Sequence, residues 1–131
     1  MRPPEKRWYA PLLKNPQGTS VFIHSLLPTA KYVFEKIEKR PGKIIRYIRF
    51  DVDGHTILRG RSEIDLTKTN PKLGELLSTT HQPLAPLLEK YRVHRTRVRS
   101  TTRTREFHFV GELHAKLFER FYSLPPKQKK R

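Results

Sequence analysis

Residues 43–52, KIIRYIRFDV, alternate strictly. In an extended chain, Ile44, Arg46, Ile48, Phe50 and Val52 share one face, and Ile45, Tyr47, Arg49 and Asp51 share the other. Asp53-Gly54 follows, a dipeptide suited to the two left-handed positions of a tight turn, and HTILRGRSEIDL (55–66) returns as a second strand. A hairpin with one apolar face is not stable alone, so the rest of the chain must extend the sheet and cover that face. Arg46 breaks the pattern, because a guanidinium cannot be deprotonated and here stands in a row meant for burial.

The remaining segments are short. TAKYVFEKIEKR (29–40) places Ala30, Val33, Phe34 and Ile37 at i, i+3, i+4 and i+7, and Pro41-Gly42 ends the run, which predicts a helix. VFIHSLL (21–27) is apolar and of undecided type. Asn70-Pro71 is a good cap and first-turn pair for a helix over PKLGELL, and QPLAPLLEKY (82–91) predicts a second. A basic strand region covers 92–105. A further hairpin follows, with strands at 106–110 and 113–124 around a turn at Gly111-Glu112. Strands are not regularly separated by helices, which predicts an α+β fold with an antiparallel sheet and short helices. The 131 residues suit a single domain over 21–125. It is preceded by an irregular basic segment at 1–20, tethered by Trp8 and Tyr9, and followed by a mobile basic tail at 126–131.

The last strand repeats the anomaly. Leu113, Ala115, Leu117, Glu119 and Phe121 share a face, so Glu119 also points inward. An unpaired buried charge is very costly. Either Arg46 and Glu119 pair with each other, or they line a cavity for an anionic ligand. In the second case Arg46 binds a carboxylate through its planar fork and Glu119 accepts a hydrogen bond or moves a proton. Strand periodicity alone leaves both readings open.

The stretch RYIRFDVDGHTILRGRS (46–62) resembles the central hairpin of chorismate lyases, with a strand arginine, an Asp-Gly turn and a Leu-x-Gly-Arg-Ser pattern at Leu58, Gly60, Arg61 and Ser62. PLAPLL (83–88) is similar to that family's helix start, and LFERFYSLP (117–125) to its closing strand. The resemblance spans about residues 43–125 and implies a chorismate lyase-like domain that removes pyruvate from chorismate to give 4-hydroxybenzoate. It assigns the catalytic roles to Arg46 and Glu119. It implies substrate contacts at Arg46, Leu84 and Glu119, with Arg61 for the side-chain carboxylate and Gly60 for close backbone approach. No cofactor and no metal are implied. Ala85 stands where the family has glycine, and the strands that the family places between its first helix and the arginine are nearly absent. The same fold serves as an effector-binding domain in transcription regulators, so a non-catalytic sensor of an aromatic acid is the related alternative.

Charge supports a different partner. The chain carries 28 Lys and Arg against 12 Asp and Glu, a formal +16, which attracts polyanions. In RVHRTRVRSTTRTR (92–105), strand spacing puts Arg95, Arg97 and Arg99 on one face, continued by Arg103 and Arg105. That stripe could track a phosphate backbone, which makes a nucleic-acid-binding or ribosome-associated protein the alternative. A solvated strand face is the simpler explanation. With no cysteine, thiol catalysis, disulfides and Cys-ligated zinc are excluded, and the six histidines show no metal-ligand spacing. No stretch is long and apolar enough to span a bilayer, and no secretory leader is visible, so a cytoplasmic location is expected.

Overall fold

The computed structural model describes residues 8–14 and 19–125. Part of the N-terminal segment expected to be irregular, and the tail at 126–131 expected to be mobile, lie outside the described residues. The fold is α+β. Two short helices, α1 (Ala10–Lys14) and α2 (Thr19–Leu26), precede strands β1 (Lys31–Arg40), β2 (Lys43–Val52) and β3 (His55–Asp65). Helices α3 (Pro71–Thr79) and α4 (Leu84–Leu87) lead to β4 (Val93–Ser100), β5 (Thr104–Gly111) and β6 (Ala115–Phe121). All six strands form one sheet in the order β1-β2-β3-β6-β5-β4, and every neighbouring pair is antiparallel. The undecided run 21–27 is largely the helix α2, and the helix expected over 82–91 contracts to α4. Among the described residues no helix is long and apolar enough to cross a membrane.

The helix expected over 29–40 is strand β1, a correction with a clear cause. Tyr32 pairs with Phe50 and Phe34 with Ile48, but Lys36 then pairs with Tyr47 and Ile37 with Arg46. Glu35 is an extra, bulged residue, so the inward face reads Tyr32, Phe34, Ile37, with one step of two and one of three. That spacing imitates a helical stripe. Pro41-Gly42 is not a helix stop but the two-residue link to β2, with Gly42 at φ 72°. β1 is thus the strand directly before the one that carries Arg46.

The hairpins obey their turn chemistry. Asp53 and Gly54 adopt φ 51° and 80°, the left-handed pair that a twisted two-residue hairpin needs. Gly111 closes β5 at φ 103°, and a Cβ there would meet the Arg92 carbonyl oxygen at 2.5 Å. Backbone strain and collision add, so Gly111→Ala is expected to cost about 2–3 kcal/mol, read as a lower midpoint in urea unfolding. A loss below about 0.5 kcal/mol would show that the junction yields.

Helices α1–α3 pack on one face of the sheet, over two apolar clusters. One joins Trp8, Tyr9, Leu12 and Ile23 to Phe50, Leu58 and Phe121; the other joins Leu73 and Leu77 of α3 to Ile44, Ile64, Phe109 and Ala115. Among the described N-terminal residues, Trp8, Tyr9, Leu12 and Leu13 are thus part of the core. Trp8 Nε1 donates to the Tyr122 carbonyl at 2.8 Å, and the Tyr9 ring stacks on Phe121 at 5.0 Å. Asn70 caps α3 by accepting from the Lys72 and Leu73 amides. Strands β2, β3 and β6 are apolar toward both ends of the inner face and polar or small between them, with Arg46 on β2, Gly60 and Ser62 on β3 and Glu119 on β6, while β5 begins its inner face with Arg105.

Candidate ligand site

Between the two clusters lies a cavity of about 70 Å³, lined by Tyr32, Arg46, Leu84, Arg95, Arg105 and Glu119 among others. Register explains its position. Arg46 lies opposite Ser62, and Gly60 lies opposite Glu119. Arg46 and Glu119 are therefore two strands apart, with roughly 10 Å between their backbones, and β3 puts only its smallest side chains between them.

The alternation places both charges correctly, since Arg46 is 1% exposed and Glu119 5%. They do not pair. Glu119 accepts from Arg105 Nε and from the Thr19 hydroxyl of α2. Arg105, itself 2% exposed, also donates to Thr19 Oγ1 at 2.5 Å and to the Leu12 carbonyl at 2.7 Å. Its guanidinium lies over the Phe107 ring at 4.4 Å. The buried pair is Arg105–Glu119, tied to both N-terminal helices.

Arg46 is held differently. Its Nη2 donates to two main-chain carbonyls, Thr80 at 3.1 Å and Gln82 at 2.7 Å, and its guanidinium lies 5.1 Å from the Phe34 ring centre. No carboxylate pairs with it among the described residues. Its Nε and the nearby Tyr32 hydroxyl are both buried and neither has a hydrogen-bond partner there, a combination that is uncommon in folded proteins. Burial pushes the Tyr32 hydroxyl above its ordinary pKa, and the adjacent Arg46 guanidinium opposes that rise, chiefly by its charge. Burial likewise pulls Arg46 below its ordinary value. Arg95 lies over Phe107 and Phe109 at 5.8 and 5.5 Å. It is lowered first by desolvation and then by the like charge of Arg105. Three guanidiniums face one carboxylate, so the cavity is positive and suits an anion.

Arg46, Leu84 and Glu119 are brought together as expected. Gly60 and Arg61 are not. Arg61 points to the opposite, outer face, where it pairs with Glu63 at 3.4 Å and covers the Phe118 ring at 4.4 Å. It cannot reach a ligand in the cavity. The inner side of Gly60 is occupied by Ile48, whose Cδ1 lies 3.0 Å from where a Cβ would be, so the residue that approaches this backbone is Ile48.

The arginine stripe is also corrected. Arg97 pairs with Phe107 but Arg99 with Glu106, so Val98 is a bulged residue that turns Arg99 to the outer face while Arg95 stays inside. Arg103 is exposed in the turn before β5 and Arg105 is buried on the inner face. The side chain of Arg97 lies outside the described residues.

Tyr32 and Thr19 escaped the sequence reading as site residues, and Arg95 and Arg105, expected on a phosphate-binding stripe, line the cavity instead. Arg105 could have been found, since Arg105, Phe107 and Phe109 alternate as one inner face. Tyr32 was hidden by the helical reading of β1. Neither a family model nor a curated protein sequence matches the chain.

Proposed function

We propose that the protein takes chorismate into the inner cavity, in the cytoplasm, and releases pyruvate from it to leave 4-hydroxybenzoate. The observation that carries this reading is Arg46: a fully buried guanidinium whose Nε, like the nearby Tyr32 hydroxyl, has no hydrogen-bond partner among the described residues, and which no described carboxylate pairs with. A ligand carboxylate satisfies both groups at once through charge-assisted hydrogen bonds. A cavity of about 70 Å³ holds roughly five waters, equivalent to about 150 Å³ of liquid, a volume suited to a benzoate ring with one carboxylate.

In this reading Arg46 and Tyr32 hold the ring carboxylate. Arg95, on the β4 side of the cavity, faces the enolpyruvyl carboxylate. The bond from the ring to the enolpyruvyl oxygen breaks, the hydroxyl-bearing ring carbon loses its proton, and the released enol takes up a proton to become pyruvate. Glu119, fixed by Arg105 and Thr19, contacts the ring oxygen and relays that proton. Aromatisation drives the step, so the site has mainly to orient the dianion and exclude water. The test is formation of 4-hydroxybenzoate from chorismate by the purified protein, which should exceed the uncatalysed rate and be lost in Arg46→Ala. Tight binding of 4-hydroxybenzoate without turnover would convert the lyase into a sensor. Absence of both binding and turnover would overturn the ligand site.

A further inference from the structure

The outer face of the sheet carries a feature that the cavity does not use. Register places Arg49, Arg59 and Arg120 directly opposite one another on β2, β3 and β6. The adjacent row sets Tyr47, Arg61 and Phe118 side by side and continues through Glu106 to Arg99 at the far edge. Like charges facing one another across strands destabilise a sheet. Glu35 relieves part of this, accepting from Arg49 at 3.0 Å and from Arg59 at 2.9 Å. Arg120 has no ion-pair partner among the described residues and lies over the Tyr122 ring at 5.8 Å. These side chains border a groove of about 520 Å³. The Tyr47 and Phe118 rings are half-buried in it, and Arg59, Arg61, Arg99 and Arg120 are exposed around them.

We propose that this face binds a single strand of nucleic acid, with phosphates on Arg59, Arg61, Arg99 and Arg120 and bases against Tyr47 and the Arg61–Phe118 stack. The chemistry fits on three counts. Guanidinium forks match phosphate oxygens. Aromatic and guanidinium planes on an open sheet stack bases without demanding a sequence. A chain of net charge +16 is drawn to polyanions from a distance. A lipid surface fits less well, because the aromatic rings lie in a groove rather than protruding. The groove shares Arg105 and Glu119 with the cavity lining but the proposed contacts use neither, and the proposal does not depend on the lyase reading.

The test is fluorescence anisotropy with a labelled 16-nucleotide oligouridine RNA at 50 and 200 mM KCl. Four phosphate contacts on a single strand predict an affinity loss of about 50-fold between the two salts. Arg59→Gln with Arg120→Gln should weaken binding at least tenfold at 50 mM and roughly halve the salt slope. Lys68→Gln with Lys72→Gln removes the same charge at the α3 end of the molecule and should leave affinity within about threefold. Thermal unfolding guards against a folding artefact: Arg120→Gln alone should hold or raise Tm, since it removes a like-charge contact. Equal losses in the two double variants, tighter binding to phosphatidylserine vesicles than to RNA, competition by 4-hydroxybenzoate, or absence of RNA binding would each overturn the proposal.

Discussion

Arg105→Met is expected to destabilise the fold by about 3–5 kcal/mol, the usual cost of removing one member of a buried ion pair. Arg105 is the only guanidinium that pairs with Glu119 among the described residues, and it ties Thr19 and the Leu12 carbonyl to the same point. Methionine fills much of the space and supplies none of the donors. The carboxylate then remains 5% exposed without its cation, and α1 and α2 lose their polar anchor to β5. Urea unfolding should show the midpoint fall with little change in slope. Adding Glu119→Leu to Arg105→Met should recover a large part of the loss, because two apolar side chains no longer leave a charge stranded. A single-variant loss under about 1 kcal/mol, or a double variant no better than the single, would show that the pair does not hold the N-terminal helices in place.

Arg46→Met should behave in the opposite way. Arg46 is equally buried, but among the described residues its hydrogen bonds go only to two carbonyls, with Nε unpartnered. An apolar replacement removes a desolvated charge that no carboxylate compensates, and the Thr80 and Gln82 carbonyls lie in a partly exposed loop that water can reach. Stability should therefore hold or rise by up to about 1–2 kcal/mol, while affinity for 4-hydroxybenzoate should fall at least 100-fold, about 2.7 kcal/mol or more. Calorimetric titration beside a thermal melt separates the two effects. A large drop in Tm would make Arg46 a structural clamp on the 80–82 loop and remove the main support for a ligand site.

The parts of the site that could be read in the sequence were those on unbroken strands. Arg46 and Glu119 sit in regular alternation, so their inward direction followed from period alone. Two single-residue insertions defeated the same logic elsewhere. The bulge at Glu35 gave β1 a helical spacing and hid Tyr32. The bulge at Val98 split the arginine run between two faces. The turn from β4 to β5 was hard to see because it uses no glycine or proline. Instead Thr101 accepts from the Arg103 and Thr104 amides, so 92–105 read as continuous strand and Arg105 was placed on the wrong surface. The N-terminal helix was legible in principle: Trp8, Tyr9, Leu12 and Leu13 have helical spacing, although basic and proline-rich neighbours obscured it.

The strand order has a consequence for how the molecule comes together. Four of the five strand pairings join chain neighbours, and only β3–β6 closes a long loop, from Ile64 to Ala115. Closing a loop of that length costs about 3–4 kcal/mol in chain entropy before any contact offsets it. The two three-stranded halves are thus local modules that form early, and their seam sets the folding rate. The cavity straddles that seam, with Arg46 contributed by one half and Arg105 and Glu119 by the other. A ligand that touches both halves can bind only after they have joined. It therefore prolongs the lifetime of the folded molecule without hastening its formation.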